Sequence, residues 1–526
     1  MRNFAHDIGN CPMTSVADPT DWIESAAREH PTRPFIKTPA GRELTYAALL
    51  DHSARYAAAL VKRGVVSGDR VAVQVDKSTE AVLLYIACLR LGAVFVPINV
   101  ANTPNEVDFF LRDSAPRVAV IRPADRAVLE PSAARAGVAH VETLGEHAEG
   151  SLLELVRRVD GSSLPARRAE PNAPAAIVYT SGTTGRSKGA VLSRANLASN
   201  AAALVEAWQF NGKDVLLHTL PLFHIHGLFA ALNTALAAGS CVLLLARFDA
   251  RVVLEHLPQA TVYMGVPTHY TRLLLEPGLN REASAGMRLF VSGSAPLLSE
   301  THREFLRRTG HAILERYGMT ETLINTSNPY HGLRKPGSVG RPLPGIEIRL
   351  VHDSPAAGAQ ADVTGALEVK GPNVFAGYWQ DAEKTQQEFT PDGWFKTGDL
   401  GRVDDDGYVH IVGRAKDLVI SGGYNVYPKE VETELDALAG VSESAVFGVP
   451  HPDFGEGVTA VVVPEPAAEI CEADLIHSIQ SRLARYKIPK RILVVEELPR
   501  NAMGKVQKNV LRAAYASLYA ATGPQQ

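Results

Sequence analysis

Cysteine is scarce: there are four in 526 residues, at positions 11, 88, 241 and 471, far apart and without a C-x-x-C pair. That spacing excludes a disulfide framework and the familiar zinc patterns, and it fits a reducing compartment. Charge of one sign is lacking too. The formal net charge is −4 with 21% charged residues, so nothing electrostatic argues for nucleic acid or an anionic membrane as the main partner. Long apolar runs are missing as well. The best transmembrane candidate, residues 227–246, is interrupted by Asn233 and by Gly239-Ser240, and reads as a short buried helix followed by a strand. The opening "MRNFAHDIGNCPM" has no sustained apolar core, so no secretory signal is expected, and no tandem repeat or heptad pattern occurs. These absences leave a cytoplasmic chain that works on small molecules. At 46% hydrophobic residues it is long enough for more than one domain.

What is present is alternation. Between 45 and 121 the pattern runs helix "YAALLDHSARYAAALVKRG", strand "RVAVQV", helix "TEAVLLYIACLRLG", strand "AVFVPI", helix "EVDFFLRDS", strand "RVAVI". Short β-branched runs separated by amphipathic helices require crossover connections, hence an α/β fold with parallel-rich sheets and flanking helices. The strands "TVYMGV", "MRLFVSG" and "AILERYG" each end in Gly, Ser, Thr or Tyr, and ligands gather at such strand ends. Near residue 400 the texture changes to hairpins with a turn at Asp406-Gly407. Beyond them come a helix over 428–438, strands near 444–448 and 457–463, a further helix and a strand at 491–495. The expected division is a large domain over 1–414 and a small mobile α+β domain over 415–526.

Residues 177–193, "IVYTSGTTGRSKGAVLS", crowd hydroxyls, glycines and Lys188 between two strand-like runs. Glycines let the backbone approach a ligand closely and the amides, hydroxyls and ammonium suit phosphate. The P-loop pattern fails: counted from Gly182, Ser187 stands where its second glycine belongs and Gly189 follows the lysine.

Taken in order, "YTSGTTGRSKG", "ERYGMTET", "TGD" at 397–399, "GRAKD" at 413–417 and "PRNAMGK" at 499–505 resemble the adenylate-forming enzymes, which include acyl-CoA synthetases, luciferases and peptide-synthetase adenylation domains. The resemblance implies ATP, Mg²⁺ and coenzyme A as cofactors and co-substrates. Thr180, Ser181, Gly182, Thr183, Thr184, Gly185 and Lys188 would hold the β- and γ-phosphates, and Glu321 with Thr180 would hold Mg²⁺. Gly293, Ser294 and Ala295, with Glu315, Arg316, Tyr317, Gly318, Met319 and Thr320, would form the adenine site. Asp399 would accept from the ribose hydroxyls, supported by Arg414. Lys505 and Glu321 would be catalytic, the lysine bridging the attacking carboxylate and the α-phosphate. Lys416 resembles the hinge about which the small domain turns, and Gly422 and Gly423 the strand that the pantetheine arm passes.

A closer resemblance, carried by "PLFHIHGLF", "MGVPTHYTRLL", "LFVSGSAPL", "ERYGMTETLINTSNPY", "GGYNVYPKEVE" and "PHPDFGEGVTAVVV", is to malonyl-CoA synthetases. It implies that Arg272 and Ser294 contact a distal carboxylate, with His224, His226 and Met319 lining the same pocket. A buried guanidinium in that wall needs an anionic partner, which a dicarboxylic acid supplies. The implied reaction joins malonate to CoA through malonyl-adenylate, with methylmalonate tolerated because one methyl discriminates weakly. Ligation of another short acid, or loading of a separate carrier protein, stays open. The same resemblance suggests a lysine acetyltransferase acting on Lys505.

Overall fold

The structure, a computed structural model, describes residues 18–161, 169–180, 187–352, 363–421, 424–480, 482–501 and 504–519. The chain falls into two compact units: residues 4–347 with 369–395, and residues 348–368 with those from 396 onward.

The larger unit is built on two sheets. In the first, strands Arg70–Gln74, Val94–Pro97, Val118–Ile121 and His140–Thr143 are parallel, and the crossover helices alternate with them as the sequence predicts. Helix Thr79–Leu91 shows why the pattern works. Ser78 caps its start by accepting from the Ala81 amide, and Gly92 ends it at a φ of 68°, a conformation glycine adopts without strain. The second sheet runs Arg341–Pro342, Leu323–Ser327, Leu314–Met319, Leu289–Ser292, Val262–Gly265, Val215–His218, Cys241–Leu244, Pro34–Lys37 and Glu43–Thr45 from edge to edge. Its central strands are parallel, so the C-terminal ends of Val215–His218, Val262–Gly265 and Leu289–Ser292 lie side by side. Beneath them pack Tyr263, Tyr270, Phe290 and Phe305, all fully buried.

Segment 227–246 divides where expected, with a difference in the winding. His226–Leu232 forms a π-helix, then Asn233–Ala237 continues as α-helix, and Gly239 turns the chain into strand Cys241–Leu244. Apolar spacing over so few residues does not distinguish the two helices, whereas the tight approach of Gly227 to the Pro221 carbonyl, where a Cβ would stand 2.1 Å from the oxygen, does constrain the turn. Among the described residues no helix is long and apolar enough to cross a membrane.

The smaller unit carries a four-stranded sheet, which includes an antiparallel hairpin, and a five-stranded sheet. The hairpin Phe395–Val403 and Val409–Arg414 turns at Gly407, whose φ is 80°. Long strands Val441–His451 and Gly455–Pro464 pair antiparallel, Arg491–Val494 joins in parallel, and helices Pro428–Asp436 and Glu472–Ile479 cover a core that includes Val431, Val446 and Val458.

Candidate active site

In the larger unit, strands Pro174–Thr180 and Lys188–Ser193 pair antiparallel. Thr180 and Lys188 face each other in the register. The expected ligands Ser181, Gly182, Thr183, Thr184 and Gly185 lie outside the described residues. Lys188 extends its ammonium over the ring of Tyr378, 5.4 Å from the centroid, and the Tyr378 hydroxyl donates to Glu321 Oε1 at 3.0 Å. Thus Tyr378, which no motif singled out, links Lys188 to Glu321. Burial, and then the charge of Lys384, lower the Lys188 ammonium from its ordinary value, while Glu388, Asp381 and Glu321 oppose them.

Strand Leu314–Met319 carries most of the residues expected around the adenine. Alternation sends Glu315 and Arg316 in opposite directions. Glu315 accepts from the Gly337 amide at 3.2 Å and lies 3.8 Å from His302, with burial raising its carboxyl. It is engaged by the fold. Gly318 is needed sterically, since a Cβ there would stand 1.8 Å from the Leu323 carbonyl oxygen. Tyr317, Met319 and Thr320 are half-buried beside it, and Gly293, Ser294 and Ala295 follow the end of strand Leu289–Ser292.

Arg316 differs from its neighbours. The residue is 4% exposed, and among the described residues neither Nε nor Nη2 has a hydrogen-bond partner. Burial pushes its guanidinium down to about 9, and its charge is felt at both His224 and His226. Gly293 lies against it so closely that a Cβ would sit 2.4 Å from its guanidinium carbon. His226, fully buried, contacts Ser294 Oγ through Nδ1 at 3.1 Å, and its Nε2 has no partner among the described residues. Ser294 is held at a φ of 73°, rare for a residue with a side chain, so strain is stored where the hydroxyl meets the imidazole. His224 accepts from the His226 amide at 3.1 Å, and burial lowers it to about 4. If the serine hydroxyl donates to Nδ1, the neutral His226 carries its proton on Nε2, and a second buried donor stands unsatisfied beside the guanidinium.

Arg272 is less buried than the expectation of a closed pocket wall. It is exposed on the last turn of helix Pro267–Leu275 and forms no ion pair among the described residues. Burial without a partner, the property that calls for an anion, belongs to Arg316 instead.

In the smaller unit, Asp399 and Arg414 are directly opposed in the hairpin register and form an ion pair of 2.6 Å, with Asp399 3% exposed. Asn501 and Lys505 exchange hydrogen bonds, Arg500 donates to the Gly504 carbonyl at 2.6 Å, and Gly504 has a φ of 73°. Desolvation, then Arg414 and Lys416, lower the Lys505 ammonium, while Asp399 and Asp417 counteract them. Lys416 is exposed in the short turn Ala415–Asp417. Gly422 and Gly423 lie outside the described residues.

A family model for the AMP-binding enzyme matches residues 23–379, and one for the AMP-binding enzyme C-terminal domain matches 430–505. The chain belongs to the AMP-binding enzyme family. Among relatives of this AMP-binding enzyme, the indoleacetate–CoA ligase of Aromatoleum aromaticum is 35% identical over 94% of this chain and 98% of its own length. The malonate–CoA ligase of Arabidopsis thaliana is 36% identical over 85% of this chain and 78% of its own. Among solved structures, ATP-bound MatB from Rhodopseudomonas palustris superposes with a TM-score of 0.92 at 50% identity, covering 96% of this chain and all of that one.

Proposed function

We propose that this AMP-forming acid–CoA ligase uses malonate, forming malonyl-CoA, AMP and pyrophosphate through malonyl-adenylate, and that it tolerates methylmalonate. The observation that carries the reading is Arg316: a buried guanidinium with two nitrogens unsatisfied among the described residues, its charge acting on His226, whose Nε2 is likewise unsatisfied. An isolated buried cation is costly, and a dicarboxylate whose second carboxyl enters this space supplies both the charge and the acceptors. An indole ring offers neither, so of the two relatives the malonate ligase is the better guide to the substrate. Ser294 orients His226, His224 and Met319 complete the wall, and the exposed Arg272 attracts the dianion from outside.

ATP is held by Thr180, Lys188 and the glycine-rich connection, with Tyr317 and the strand ends following Leu289–Ser292 at the base and Asp399 with Arg414 at the ribose. Lys505 neutralises charge between the attacking carboxylate and the α-phosphate; the small domain following Arg414 moves about Lys416, and the strand through Gly422 and Gly423 admits the thiol arm. Glu321 with Thr180 suits Mg²⁺. One carboxylate and one hydroxyl are few ligands, but this hard cation takes its remaining oxygens from phosphates and water, and bound there it supplies charge neutralisation for the leaving pyrophosphate. Acetylation of Lys505 would remove the ammonium and stop adenylation.

Incubation of malonate, methylmalonate, succinate, acetate and butyrate separately with ATP, Mg²⁺ and CoA, followed by quantification of AMP and acyl-CoA, tests the proposal. Malonate is expected to lead. Leadership by a monoacid would remove the role given to Arg316.

A further inference from the structure

Tyr378 belongs to none of the motifs, yet it meets two residues expected at the phosphates and the metal. Its segment is bound through the backbone to both sheets of the larger unit. Gly377 and Tyr378 pair antiparallel with Val191 and Ala190 at the edge of the first sheet, and the Trp379 amide donates to the Gly189 carbonyl at 2.7 Å. A few residues earlier, the Phe375 amide donates to the carbonyl of Glu321 at 2.8 Å, just beyond strand Leu314–Met319 of the second sheet. The stretch 375–379 thus ties the strand that begins at Lys188 to the turn that carries Glu321.

The side chain repeats the tie. Its hydroxyl donates to Glu321 Oε1 at 3.0 Å, and the Lys188 ammonium lies 5.4 Å from the ring centroid. The phenol is itself held in place. Phe375 meets it edge to face with centroids 4.9 Å apart, and the Tyr378 amide donates to Thr385 Oγ1 at 2.9 Å, which in turn donates to the Asp381 carbonyl at 2.8 Å. Gly377, at a φ of 140°, lets the strand pass Thr385, where a Cβ would stand 2.6 Å from the threonine methyl. Glu321 is buried, 6% exposed, so a fixed donor at one oxygen sets the direction of its carboxylate before a ligand arrives. An ammonium resting on a ring keeps its charge while losing freedom, and in the strand register Lys188 stands opposite Thr180.

We infer that Tyr378 is a positioning residue for the Mg²⁺–ATP complex: its hydroxyl orients Glu321 toward the cation, and its ring holds Lys188 beside Thr180 for the phosphates. This rests on the proposed assignment of Glu321 to Mg²⁺ and Lys188 to ATP, and it is independent of which acid is activated. Carboxylates that hold metals are oriented by such outer hydrogen bonds, and losing the outer partner typically weakens the metal about 10–100-fold.

ATP binding is measured by calorimetry without acid or CoA, in EDTA and over a series of free Mg²⁺ concentrations, for wild type, Tyr378→Phe, Tyr378→Leu and Glu321→Gln, with thermal unfolding alongside. Tyr378→Phe keeps the ring and removes the hydroxyl. The Mg²⁺ concentration giving half of the gain in ATP affinity is expected to rise about tenfold or more, with affinity in EDTA within about twofold of wild type. Tyr378→Leu removes the ring as well, so its ATP affinity in EDTA should also fall about two- to fivefold. An unchanged Mg²⁺ requirement in Tyr378→Phe beside a raised one in Glu321→Gln would overturn this inference alone. Equal losses with and without Mg²⁺, or lowered thermal stability as the sole effect, would make Tyr378 a contact of the fold and overturn it too. If Glu321→Gln leaves the Mg²⁺ requirement unchanged, the assignment of Glu321 fails and takes the inference with it.

Discussion

Replacing Arg316 by methionine should make the ligand-free enzyme more stable and nearly useless toward malonate. Burial lowers the guanidinium to about 9, well below the ordinary arginine value, so the charged form is disfavoured in the empty site. Apolar replacement of unpaired buried charge typically returns about 1–4 kcal/mol, so Arg316→Met is expected to gain that much in the absence of substrate. Losing one partner of a buried charge pair costs about 2–5 kcal/mol in recognition, which places the fall in malonate kcat/KM between about 30-fold and several thousand-fold. Butyrate, with no second carboxylate, should be used as well as by wild type or better. The assays are denaturant unfolding of the unliganded proteins and AMP release with each acid. A variant that is less stable and still prefers malonate would refute the reasoning, because Arg316 would then be neutralised inside the fold.

Other outcomes follow from the same contacts. Gly293→Ala places a Cβ 2.4 Å from the Arg316 guanidinium carbon; the flexible side chain can give way, so a small stability change and a raised malonate KM are expected from unfolding and kinetics. Lys505→Ala should abolish adenylate formation measured by pyrophosphate release, with malonate binding by calorimetry intact, and Lys505→Gln, an acetyl-lysine mimic, should behave alike. Burial depresses His224 to about 4 and His269 to about 3, and lowers His218 and His226. Above the unfolded value near 6.5 neither state is protonated; below it the unfolded chain binds protons the folded one refuses. Stability should therefore fall from about pH 6.5 toward pH 4, at about 1.4 kcal/mol per pH unit per histidine, and His269→Gln should reduce that slope by about one proton in pH-dependent unfolding.

The alternating strands and helices of residues 70–121 were legible because burial imposes a period: one run for each strand, one amphipathic stretch for each crossover. The hairpin at Asp406-Gly407 and helix Pro428–Asp436 were legible from turn chemistry and the proline start. What the chain order hid is depth. Arg272 and Arg316 are both arginines in segments expected at the site, yet the helix turns the first to solvent and the strand turns the second inward. Strand alternation across 314–319 was the available signal for Arg316, since it sets Arg316 on the face opposite Glu315. Tyr378 lies far in sequence from Glu321, and no local pattern announces a contact made across sheets. The π winding of His226–Leu232, where Gly227 stands against Pro221, is not encoded by apolar spacing alone.

The most direct test is malonate-driven exchange of labelled pyrophosphate into ATP, without CoA, since it reads substrate choice and adenylation together and leaves thioester formation aside. Exchange with malonate exceeding that with butyrate by about tenfold or more at equal concentration is predicted. Equal exchange with both acids, or exchange with butyrate alone, would contradict a pocket built around a second carboxylate.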